Sequence, residues 1–106
     1  MRKKIKSWQN LIDIADLERG DVTPITFGAR HLAVFDADDG IFVSMSRCTH
    51  GAANLCDGYF DGTYIECPLH QGLFDVRTGV AIATPARVQL RMIESRVKNG
   101  ILQINI

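Results

Sequence analysis

Apolar residues come in short runs along this chain, rich in β-branched and aromatic side chains and broken by glycine and aspartate, and no stretch sustains a 3.6-residue period. The pattern is that of an all-β protein. It predicts strands over residues 22–27, 31–36, 41–45, 63–66, 73–75, 89–98 and 101–106. In the last of these, Leu102, Ile104 and Ile106 alternate with Gln103 and Asn105, as expected when one face is buried and the other wet. Asn99-Gly100 before it suits a two-residue hairpin, because both residues tolerate positive φ. The aspartate-rich stretch 36–40 marks another turn. Near the N-terminus, residues 8–21 are the one place where a short helical turn is expected, capped by Asp13 or Asp16. The loop-rich stretch from about 47 to 72 interrupts the strand pattern and reads as an insertion into a β scaffold.

Length allows one small domain over residues 1–106, large enough to bury roughly two thirds of its unfolded surface. Lys and Arg together number 12, as do Asp and Glu, so no excess charge steers the whole molecule to nucleic acid or to anionic lipid. The basic start is followed by apolar residues interrupted by Ser7, Gln9, Asn10 and Asp13, unlike a secretory signal. No later apolar run approaches the roughly 20 residues of a membrane span. A cytoplasmic protein with no membrane or nucleic-acid partner is expected.

The insertion concentrates the chemistry. All three cysteines and two of the three histidines fall between residues 48 and 70, in mixed pairs: Cys48 with His50 and Cys67 with His70. An odd number of cysteines so close to histidines argues for metal ligation over a disulfide framework. Residues two apart in an extended loop point the same way, and Pro68 presets a turn between Cys67 and His70. Gly51, Gly58 and Gly62 lie in the 16 residues between the pairs, where close backbone approach to a bulky group needs them. Two cysteines and two histidines also make a tetrahedral zinc site. Zinc fingers, however, group like with like. Mixing has a reason in a binuclear 2Fe-2S centre with cysteine on one iron and histidine on the other, since each loop then feeds both irons.

Cys48-x-His50, sixteen residues, then Cys67-x-x-His70 resembles the ligand motif of Rieske iron-sulfur proteins. With "CTHG", "DGY", "ECPLHQG", "FDVRTG" and "ATP" around it, the whole chain resembles the ferredoxin components of bacterial aromatic-ring-hydroxylating dioxygenases, the naphthalene dioxygenase type especially. The resemblance implies a β-sandwich base with a small cluster-binding subdomain inserted at 46–76. It implies one 2Fe-2S cluster, with Cys48 and Cys67 on one iron and His50 and His70 on the other, and Pro85 in a third loop covering it. Leu69 stands where a loop-bridging disulfide of respiratory Rieske proteins would need a cysteine, so Cys56 is expected to be a free thiol. His31, with no ligand neighbour, is expected to be structural or exposed.

The function implied is a one-electron carrier, not an enzyme, passing electrons from a flavin-dependent NADH reductase to a terminal oxygenase. The residues agree. With His50 and His70 committed, His31 alone cannot build a 2-His-1-carboxylate oxygen-activating site, and no G-x-G-x-x-G fingerprint marks a dinucleotide domain. The alternatives are a Rieske-like small subunit of an assimilatory nitrite reductase, in which ligands are often missing, and a redox-sensing iron-sulfur module. High-potential Rieske proteins carry a serine and a tyrosine where this chain has Gly72 and Phe74, so a low potential is expected. Partners are expected to dock at the histidine end, near Ala52, Ala53, Leu69 and Gln71, with Asp57, Asp61, Glu66 and Asp75 as a steering rim.

Overall fold

The computed structural model describes residues 5–49, 53–68, 72–83 and 88–106. Among them are eleven strands: β1 (Trp8–Asp13), β2 (Val22–Phe27), β3 (Arg30–Ala37), β4 (Gly40–Met45), β5 (Tyr59–Phe60), β6 (Tyr64–Glu66), β7 (Leu73–Asp75), β8 (Ala81–Ala83), β9 (Met92–Ile93), β10 (Ser95–Lys98) and β11 (Ile101–Asn105). They form three antiparallel sheets, ordered β1-β11-β10, β2-β3-β4-β9 and β5-β6-β7-β8. The all-β expectation holds. No helix among the described residues is long and apolar enough to cross a membrane.

Strand β3 explains the layering. Its Leu32-Ala33-Val34-Phe35 run is buried throughout, and the period of two sends alternate residues to opposite faces. Leu32 and Val34 join Val43, Leu102 and Ile104 in a core against the β1-β11-β10 sheet. Ala33 and Phe35 join a second core with Phe60, Ile65, Phe74 and Val76 of the third sheet. The middle sheet is therefore wet on neither face at its centre. The first two sheets make a sandwich, and the third, emitted between β4 and β9, packs on the sandwich's other side.

The acidic turn between β3 and β4 fastens the third sheet at its far end. Asp38 donates its amide to the Gly62 carbonyl at 3.0 Å, and Arg77 reaches Asp39 at 3.3 Å and Asp75 at 3.2 Å. Gly62 has φ +100, a backbone conformation that favours glycine, and a Cβ there would also displace the Asp38 carboxylate.

The short turn expected within residues 8–21 is present, but a strand before it was not expected, and one expected strand needs correction. Trp8–Asp13 is a strand paired with β11, and only Ile14–Asp16 forms a 3₁₀ turn. Asp13 caps that turn by accepting the Ala15 amide at 2.9 Å, whereas Asp16 lies within it. A bulge between Asn10 and Ile12 disrupts the alternation of β1, which is why no strand was expected there. The single strand expected over 89–98 is two: β9 pairs with β4, the chain crosses at Glu94, and β10 pairs with β11. One run thus serves both sheets of the sandwich. The expected hairpin is present, with φ of 53° at Asn99 and 77° at Gly100, the positive pair that a type I′ turn requires.

Phe35 packs its ring 5.4 Å from that of Phe60, joining the middle sheet to the third. Phe35→Ala should lower unfolding free energy by about 3–5 kcal/mol, the usual cost of emptying a buried aromatic position. Urea denaturation checks it. A midpoint within error of the parent would mean that the second core does not carry the fold.

Candidate metal centre

Cys48 and Cys67 each begin a loop, and the two loops are closed by the same kind of backbone bond. After β4, Ser46 donates its amide to the His31 carbonyl at 2.9 Å, and Arg47 bridges back to Asn54. The Cys48 amide then donates to the Ala53 carbonyl at 2.9 Å. After β6, the Cys67 amide donates to the Gly72 carbonyl at 2.7 Å, and β7 follows. Each loop therefore begins on a cysteine and is tied off five residues later. Equal closure makes the described ends of the two loops counterparts, although only the cysteine holds the same position in both sequences.

The chain between them is built to bring the loops together. Asn54 accepts the Cys56 amide at 2.9 Å and caps a 3₁₀ turn at Leu55–Asp57, which Gly58 ends by donating to the Leu55 carbonyl at 3.0 Å. Leu55, with no exposed surface, anchors this turn in the second core. Gly58 passes so close to β6 that a Cβ on it would collide with the Glu66 carbonyl, one residue before Cys67.

Cys48 is 2% exposed and Cys67 fully buried, and they share one core with Leu55, Phe60, Ile65, Phe74, Val76 and Leu90. The structure thus brings the two expected cysteine ligands into a single dry environment. His50 and His70 lie outside the described residues, as do Ala52, Leu69, Gln71 and Pro85. His31 is exposed on β3 and contributes its carbonyl to the loop, in agreement with a structural role.

Cys56 is a free thiol, half-buried beside the same core. Burial, helped by the neighbouring Asp57 carboxylate, pushes its pKa up to about 11, so near neutral pH it is a protonated and unreactive group. Of the four acids expected to form a rim, two are already engaged. Asp61 accepts the Tyr64 and Thr63 amides at 2.7 and 2.9 Å, which hold its carboxyl below the ordinary range. Asp75 is held below it by its hydrogen bonds and ion pair with Arg77. Asp57 is exposed and Glu66 half-buried.

Soft sulfur donors in a water-excluded core, with a histidine further along each of two equivalent loops, fit iron-sulfur ligation. A Rieske [2Fe-2S] domain model matches residues 7–94, which include both loops. The ferredoxin component of the naphthalene 1,2-dioxygenase system of Pseudomonas putida is 35% identical over 93% of this chain and 95% of its own length. This chain belongs to the Rieske ferredoxins of aromatic dioxygenase systems. Such a ferredoxin is the electron-transfer component of its system, not the catalytic subunit, and carries one Rieske-type 2Fe-2S cluster. Among solved structures, the ferredoxin of Sphingomonas yanoikuyae B1 superposes with a TM-score of 0.87 at 36% identity, over 94% of this chain and 99% of that one. A complex of reduced oxygenase and oxidized ferredoxin in carbazole 1,9a-dioxygenase matches with a TM-score of 0.84 at 35% identity, over 92% of each chain.

The cysteine and histidine pairs of this Rieske ferredoxin stand out in the sequence by type and spacing. The backbone bonds that equalise the loops do not, because amides and carbonyls leave no signature. The side-chain bond from the Thr49 hydroxyl to the Val88 carbonyl was missed as well, its partners being 39 residues apart.

Gly58→Ala should displace the Glu66 carbonyl and with it the start of the second loop. The expected result is a loss of about 1–3 kcal/mol of stability, typical of overpacking, and fewer irons retained per chain. Parental stability together with parental iron content would show that the close approach of residue 58 to β6 is not needed.

Proposed function

We propose that this chain carries single electrons from a flavin-dependent NADH reductase to the terminal oxygenase of an aromatic-ring-hydroxylating system, in the cytoplasm. Residues 46–76 form its cluster-binding subdomain, in which Cys48 and Cys67 hold one iron and His50 and His70 the other. The observation that carries this reading is the pair of identically closed loops, each starting on a cysteine buried in the same core. The Pseudomonas putida relative is a component of a naphthalene dioxygenase system, and the carbazole dioxygenase ferredoxin is found with its oxygenase.

When bound, the cluster takes up and releases one electron. The chain's own residues set the terms. Cys48 and Cys67 keep the charged sulfur end of the site away from water, while the neutral imidazoles of His50 and His70 suit an end that faces partners. Electron transfer needs only short-lived contact, so docking takes place around those rings, with Asp57 and Glu66 available to steer. Hydrogen bonds to the sulfurs raise a cluster's potential. Neither Gly72, whose carbonyl is spent closing the second loop, nor Phe74, fully buried in the core, has a hydroxyl to donate.

Purified protein should contain two irons and two acid-labile sulfides per chain, with a midpoint at the low end of the Rieske range, roughly −150 mV. His50→Ala and His70→Ala should each lose the Rieske-type spectrum. Stoichiometric zinc without visible absorption would contradict the cofactor, intact spectra in both variants would contradict the ligands, and a midpoint above zero would contradict the missing donors.

A further inference from the structure

The two loops are equivalent in closure but not in how their outer limbs are restrained. In the second loop the residue after the cysteine is Pro68, whose ring fixes φ without any partner. In the first loop that position is Thr49, which has no such restraint of its own. Its hydroxyl instead donates to the carbonyl of Val88, joining the loop to a segment 39 residues away in sequence. That segment is itself anchored. Two residues on, Leu90 is 2% exposed in the core that holds Cys48 and Cys67, and its amide donates to the Gly79 carbonyl at 2.7 Å.

We propose that Thr49 is a positioning residue, whose hydroxyl pins the first cysteine-histidine loop to the segment entering β9 and so does by a tether what Pro68 does by its ring. The proposal rests on the carrier reading above, since it concerns how tightly the ligand loop is held around the cluster. Thr49 touches no iron; it acts through the backbone on either side of it. A hydroxyl-to-carbonyl bond suits this task because it holds position without adding charge beside the metal. It also links the loop to a segment that is fixed two residues further on by buried Leu90.

The test uses the full-length, cluster-loaded protein with Thr49→Val, which keeps the shape and removes the donor, and Thr49→Ser, which keeps the donor and removes the methyl. Three readouts are followed: the rate at which excess chelator bleaches the visible spectrum, the electron paramagnetic resonance line shape of the reduced protein, and the thermal unfolding midpoint. Thr49→Val should lose its cluster about fivefold faster, the size of effect expected for one net hydrogen bond, with broadened resonance lines from a less uniquely held loop. Thr49→Ser should restore both. Parental bleaching and line shape in Thr49→Val would overturn the proposal, and so would a Thr49→Ser variant as impaired as Thr49→Val. A lowered unfolding midpoint with unchanged bleaching and line shape would overturn it too, as that is the mark of a merely structural residue. If the parent itself showed no 2Fe-2S spectrum, the carrier reading would fall and take this proposal with it.

Discussion

Two backbone hydrogen bonds organise this molecule: the amide of Cys48 to the Ala53 carbonyl and the amide of Cys67 to the Gly72 carbonyl. They convert two unrelated stretches of sequence into loops of one design, each with its thiol turned into the same core. On the proposed assignment each loop would deliver one soft sulfur and one imidazole to a centre with unlike irons. The rest of the fold can be understood as support for that match.

The support runs through β3. With Leu32 and Val34 on one face and Ala33 and Phe35 on the other, the strand seals the sandwich and also floors the site. A sheet with one wet face could not do both. Each contact above that floor has a local cause: Leu55 anchors the turn after the first loop, Gly58 lets the chain pass against β6, and Asp38 with Gly62 fixes the far end of the third sheet. Burial of this kind is non-directional, so the hydrogen bonds supply the geometry and the apolar core supplies the free energy.

Strands with regular alternation or a strong turn beside them were legible in the sequence. Val22–Phe27 and Leu73–Asp75 lie where expected, and Asn99-Gly100 forms the turn that its residues favour. Strand β1 was hidden because its bulge breaks the period of two, β5 because two residues are too few to show one, and β8 because Ala81-Ile82-Ala83 offers only one large apolar residue. The split at Glu94 was hidden because a strand that changes sheets keeps its β pattern throughout. At the site, cysteine and histidine announced themselves by type and spacing. Their restraint did not, since it depends on main-chain atoms and on Thr49 meeting a carbonyl far along the chain.

Two like loops, each bearing one cysteine and one histidine, should yield a centre with sulfur at one iron and nitrogen at the other. Pulsed electron paramagnetic resonance of the dithionite-reduced protein tests this most directly, because coupling to directly bound nitrogen differs sharply from the weak coupling of distant backbone amides. Two strong nitrogen couplings, both altered when histidine alone is isotopically labelled, are the predicted result. A reduced centre with no strong nitrogen coupling would contradict the assignment of His50 and His70 to the second iron.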